Sequence, residues 1–231
     1  MIMGAENRAT SITLKQTSVA GAPAFHLAVP EGNKNRAVIL HGYGGSKEEV
    51  FGLGIAAAGA GWSACIPDLP GHGAHPASLT AENVRRFVAG LKAAGFNAAI
   101  GHSLGGRIAI ALEIKPLCLL SVPLHARFEG RRTELLRALR ARRVREVKPF
   151  AGLEDVLAAL DEPWPDPPVL LFYAAHDLPT CRAAAAWGEK AGWQTRMVRG
   201  AVHLDVVSDP EVLAAVSDWL KDRKGEVHVR V

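Results

Sequence analysis

The chain is 231 residues long, 48% hydrophobic, 22% charged and 6% aromatic. That apolar content excludes intrinsic disorder, and an odd count of three cysteines (Cys65, Cys118 and Cys181) without metal-like spacing excludes a disulfide scaffold. The net charge of +4 is unevenly spread: nine basic and three acidic residues between Arg127 and Lys148 make that stretch +6, which leaves −2 for the rest.

The length suits one domain, 1–231, with at most a small insertion. No apolar run approaches 18 residues without Gly, Pro or charge, so no transmembrane helix is expected. The polar start, residues 1–9, lacks the apolar core of a signal peptide. The expectation is a soluble, reduced, cytoplasmic protein.

In chain order, residues 11–15 and 25–29 read as an opening antiparallel pair. A compact apolar strand over 37–40 runs into His41-Gly42. An Ala-rich helix follows at 48–60, then a strand at 62–66. Residues 81–94 form a helix with Thr80 as N-cap and Gly95 as stop. A strand at 97–100, a helix at 104–114 and a strand at 117–122 come next. After the basic stretch and the Pro-rich residues 163–168, a strand (169–174), a helix (180–191), a strand (193–198) and a helix (211–221) complete the pattern. Alternating apolar strands and helices predict a mostly parallel twisted sheet of about eight strands, covered by helices on both faces. In such sheets, sites form in the loops beyond the carboxyl ends of the strands.

Those loops carry the chemistry. After strand 97–100 comes Gly101-His102-Ser103-Leu104-Gly105-Gly106, a G-x-S-x-G pattern at a strand-to-helix turn. Such a turn strains the serine backbone, and glycines are needed because a Cβ would clash with the adjoining strand and helix. After strand 37–40 comes His41-Gly42-Tyr43-Gly44-Gly45, a glycine-rich loop whose main chain can approach a developing oxyanion. The expected donors are the N–H groups of Tyr43 and Leu104. Asp177 follows strand 169–174, and His203 follows strand 193–198. A serine nucleophile needs a base to take its proton and an acid to orient that base; the chain order Ser103, Asp177, His203 supplies both.

The sequence resembles the α/β-hydrolase superfamily over nearly its whole length. The resemblance rests on His41-Gly42, the loop Asp68-Leu69-Pro70-Gly71-His72-Gly73, the elbow 101–106, Asp177 and His203. It implies an oxyanion donor at Tyr43 and structural roles for Asp68 and His72, which hold their loop by hydrogen bonds. It also implies a lid between the sixth and seventh strands, here a short one at about 123–165.

Other residues receive simpler readings. His102 is expected to point away from the site, His176 to be a packing residue, and His26 and His228 to lie in peripheral strands. His125, at the rim, is the candidate substrate contact. Cys65 and Cys118 fit apolar strands, and Cys181 a helix start. The scattered histidines offer no metal site.

Within the basic stretch, residues 134–145 read as a helix with an apolar stripe of Leu135, Leu136 and Leu139 and arginines on its other faces. A second short helix is expected at 155–160. So small a lid predicts a rather open site. Its charge fits a solvated face, an anionic acyl substrate, or contact with an anionic membrane or nucleic acid; no nucleic-acid motif accompanies it. Residues 226–231 alternate Val with charge or His and suit either a frayed tail or an edge strand, including one that pairs two subunits in a homodimer.

The sequence therefore predicts a hydrolase of carboxylic esters or thioesters that needs neither metal nor organic cofactor, acting on a small-molecule substrate, with an anionic one among the options the basic stretch offers. The alternatives are a non-catalytic protein whose basic lid binds an anionic partner, and non-hydrolytic chemistry on the same fold.

Overall fold

The computed structural model describes residues 11–30, 34–125, 131–146, 152–160 and 164–223, with backbone only at 131–133. The expected segments 1–9 and 226–231, with His228, lie outside these residues. So do parts of the basic stretch.

The chain opens with β1 (Thr13–Val19) and β2 (Ala22–Ala28), joined by a two-residue turn at Ala20 and Gly21, both with positive φ. There follow β3 (Arg36–Leu40), α1 (Phe51–Gly59), β4 (Ser63–Pro67), α2 (Ala81–Ala93), β5 (Ala98–His102), α3 (Leu104–Ala111) and β6 (Leu117–Leu120). An insert carrying α4 (Arg131–Ala141) and α5 (Gly152–Ala159) leads to β7 (Val169–His176), α6 (Pro179–Lys190), β8 (Gln194–Val202) and α7 (Pro210–Lys221). The strands form one sheet in the order β1-β2-β4-β3-β5-β6-β7-β8. β1, β2 and β4 pair antiparallel, and from β4 to β8 every pairing is parallel.

The central strands have apolar side chains on both faces because both faces are covered. One face packs Val38, Leu40, Leu117, Leu119 and Leu171 against α2, α3 and α6. The other packs Ile39, Ile66, Ile100, Leu120 and Leu170 against α1 and α7. Thr80 caps α2 as expected, its hydroxyl accepting from the Asn83 N–H at 3.1 Å. Cys65 and Cys118 are buried in β4 and β6.

Several boundaries differ from expectation for local reasons. α3 ends three residues early, at Ala111, because Glu113 takes a positive φ ahead of Lys115-Pro116. β8 continues four residues past 198 through pairing with β7, which is irregular between Ala174 and His176. α4 spans 131–141 rather than 134–145, since Arg145 leaves the helix to exchange backbone bonds with Gly71 and Leu79, at 2.8 Å each.

The insert is seated on the core through few but specific groups. Leu153, Val156 and Leu157 of α5 join the core beside α2. The Arg145 guanidinium donates to the carbonyls of His72, Gly73 and His75. Of the expected leucine stripe of α4, Leu136 faces inward, while Leu135 and Leu139 are 62% and 58% exposed. Beside Leu136 the inward face carries Arg137 and Arg140, drawn in by carboxylates. Arg137 donates to Glu154 at 2.7 Å, and Arg140 makes two bonds of 2.8 Å to Glu49.

Candidate active site

The nucleophile turn follows from close backbone packing. A Cβ on Gly101 would sit 2.3 Å from the Gly105 carbonyl oxygen, and one on Gly105 would sit 2.4 Å from that of Leu40. With β3, β5 and α3 this close, the connection must be tight. Ser103 takes φ 52° and ψ −115°, a backbone conformation that L-residues avoid. Its N–H donates to Leu120 at 2.9 Å, and its carbonyl accepts from Gly106, which pins the turn to β6 and starts α3. The hydroxyl thus stands at the N-terminus of α3, where the helix field favours negative charge.

Asp177 follows the last residue of β7, and His203 follows the last residue of β8. His203 Nδ1–H donates to Asp177 Oδ1 at 2.7 Å, and Ser103 Oγ lies 3.1 Å from His203 Nε2. All three side chains are buried. Asp177 also accepts from the Leu178 and Ala174 N–H groups and from the Ser121 hydroxyl. Burial alone would raise its pKa. The hydrogen bond and charge of His203, together with the Ser121 and Ala174 donors, outweigh that and hold it down at about 2.

The Tyr43 loop faces Ser103 across the same cavity. The Tyr43 hydroxyl donates to Glu146 of the insert. Burial and the Glu146 carboxylate push that phenol well above its ordinary pKa. Gly44, at φ +66°, lies so close to α4 that a Cβ there would be 2.6 Å from Arg140 Cβ.

Asp68 and His72 stand behind this loop, outside the reacting groups. Asp68 accepts from the Lys47 and Ala74 N–H groups and pairs with Lys47 Nζ at 2.7 Å. Buried His72 packs edge-on against His41 and Tyr43.

The site lies in a partly open cleft under the insert. Ser103 is only 8% exposed. The cavity over it holds about 40 Å³, and its walls include Leu136, Leu153, Leu178 and Leu204. Arg137 and Arg140 also line it, both engaged with carboxylates. The insert is tied over the site where Arg140 pairs with Glu49 and Arg145 donates to the carbonyls of His72, Gly73 and His75.

His102 does not point away: its ring centroid is 4.9 Å from that of His203, and its Nε2–H donates to the His203 carbonyl at 3.0 Å. Packing between β5 and the His203 loop forces this. His176 is exposed rather than packed, since β7 runs out into solvent there. His125 is exposed, its N–H bonded to the Thr180 hydroxyl, and it is not among the residues lining the cavity.

Sequence reasoning missed Ser121, which follows β6 with φ 47° and buttresses Asp177. It also missed how close Cys181 lies to the dyad, 3.8 Å from His203 Nδ1. Among the described residues, Asp177, Cys181 and His203 form a group of potential metal ligands, with ligating atoms within 4.8 Å of one another.

Comparison with known proteins agrees with this architecture. The sequence profile of an alpha/beta hydrolase family matches residues 37–225. No curated protein matches the sequence. Among solved structures, an esterase from Pyrobaculum calidifontis superposes with a TM-score of 0.67 at 19% identity, covering 92% of this chain and 87% of that one. A carboxylesterase from Bacillus subtilis gives 0.60 at 15%, covering 89% and 90%. A variant of an epoxide hydrolase from Solanum tuberosum gives 0.62 at 14%, covering 92% and 100%. At these identities the likeness is one of fold.

Proposed function

The chain belongs to the alpha/beta hydrolase family, and we propose that within it the protein is a serine hydrolase that cleaves a carboxylic ester or thioester. The observation that carries this reading is the unbroken hydrogen-bond chain from Asp177 through His203 to Ser103, with the serine held on a strained turn.

In this reading Ser103 Oγ attacks the carbonyl carbon as its proton passes to His203 Nε2. Asp177 keeps the imidazole in the tautomer whose Nε2 can accept, and it stabilises the imidazolium that forms. The Tyr43 and Leu104 N–H groups receive the oxyanion, which the N-terminus of α3 further favours. His203 then protonates the leaving group. Water, deprotonated by the same nitrogen, attacks the acyl-enzyme and releases the acid.

The cavity lining supports an uncharged acyl group. Its walls include four leucines, and both of its arginines already hold carboxylates. An anionic acyl group, the alternative raised by the basic stretch, would have to compete with Glu49 and Glu154. The esterase neighbours add support of the same kind, while the epoxide hydrolase shows that this fold carries other reactions.

The test is Ser103→Ala with a panel of short- and long-chain esters and a fluorophosphonate probe. Hydrolysis and labelling should both be lost while the circular dichroism spectrum is retained. Full turnover by the variant would remove Ser103 from the reaction.

A further inference from the structure

Cys181 has no part in acyl transfer, yet it sits against the two residues that make Ser103 reactive. It lies in the first turn of α6. Its thiol donates to the Ser121 carbonyl at 3.1 Å and stands 3.8 Å from His203 Nδ1. Asp177, Cys181 and His203 are 6%, 1% and 7% exposed, and their ligating atoms converge within 4.8 Å.

A sulfur, an imidazole nitrogen and a carboxylate oxygen form a donor set that suits Zn²⁺. Ordinary Zn–S and Zn–N lengths in a tetrahedral site separate those two ligands by about 3.5 Å. The Cys181–His203 separation is already close to that, whereas the 2.7 Å Asp177–His203 pair must open by about 0.7 Å, because Zn–N and Zn–O lengths set those donors about 3.4 Å apart. All three donors are buried and neither Asp177 nor Cys181 lines the cavity over Ser103, so a cation enters as the Asp177–His203 pair opens.

We propose that Asp177, Cys181 and His203 form an inhibitory site for a thiophilic divalent cation such as Zn²⁺. Coordination forms bonds from the metal to Sγ, Nδ1 and a carboxylate oxygen. The thiol proton leaves to solvent, and the imidazole proton relocates from Nδ1 to Nε2. Nε2 then carries a hydrogen and faces Ser103 as a donor, so it can no longer take the serine proton. The metal traps the wrong tautomer and removes the Asp177 hydrogen bond in the same event.

The inhibitory consequence rests on the serine-hydrolase reading, whereas binding of the metal does not. The test therefore has two readouts. Titration of the purified protein with Co²⁺ should give a thiolate-to-metal charge-transfer absorption, retained in Ser103→Ala and lost in Cys181→Ala. Zn²⁺ should inhibit ester turnover, with recovery on adding EDTA. Loss of one ligand should weaken the inhibition midpoint by at least what loss of an outer-shell partner costs, about 10–100-fold. Cys181→Ser, which nearly preserves side-chain size, guards against a packing defect in the alanine variant. Absence of the absorption band, or equal Zn²⁺ inhibition in wild type and both Cys181 variants, would overturn the site. A band without any esterase activity would instead count against the hydrolase reading.

Discussion

Asp177 accepts from His203 and Leu178 on one oxygen and from Ser121 and Ala174 on the other. These four donors hold the carboxylate rigidly, so its orientation dictates that of the imidazole. Asp177→Asn keeps the shape but can present an N–H to Nδ1, which favours the tautomer unable to take the serine proton. We expect kcat to fall by about 10³–10⁴-fold with little change in KM. Steady-state kinetics on a short-chain ester would check this, and a change confined to KM would contradict it. Ser103, Asp177 and His203 were legible in the sequence because each stands just past a strand end. Ser121 was not, because the apolar run of its strand reads on to Val122 although β6 ends at Leu120; Cys181 was not, because its approach to His203, 22 residues on, depends on where β8 returns beside α6. No short-range pattern encodes such a contact.

The insert shows where element-scale reasoning from sequence reaches its limit. Helicity was readable from periodicity, but the inward face of α4 was not. Apolar periodicity selects the stripe of leucines, whereas the structure turns two arginines inward because Glu49 and Glu154 await them. Those partners lie on separate elements, and only the assembled fold brings them under α4. The Glu49 pairing also presses the Arg140 backbone onto Gly44, one residue from the proposed oxyanion donor Tyr43. Glu49→Gln leaves Arg140, 9% exposed, and the more exposed Arg143 without their anion. The folded state should lose about 1–3 kcal/mol, as expected for removing one partner from a partly buried ion pair. Trypsin should then cut the arginine-rich insert faster, and kcat/KM should fall as the loop loosens. Unchanged digestion and turnover would mean that Glu49 does not hold the insert.

Across the whole molecule, several buried histidines link stability to pH. His41 and His72 lie behind the Tyr43 loop, and His102 lies behind His203; all are at most 3% exposed. Burial lowers all three from 6.5. For His72 and His102 it acts with the charges of His41 and His203 respectively and brings each to about 3. The folded state therefore keeps these rings neutral through mild acid, while the unfolded chain protonates them near 6.5. Between about pH 6.5 and 3 the unfolded state holds more protons, so stability falls as the pH falls through that window. Each such ring contributes a slope approaching 1.4 kcal/mol per pH unit. His72 and His102 alone should remove about 2–3 kcal/mol between pH 7.5 and 5.5. Above pH 7 the contribution is constant, since both states are neutral there. Urea unfolding followed at half-unit steps from pH 8 to 5 should show a plateau and then a decline beginning near 6.5. In His102→Gln, which replaces the ring with a group that does not titrate, that decline should be shallower. A curve flat to pH 5 in the wild type would mean that these rings bind protons equally in the folded and unfolded states.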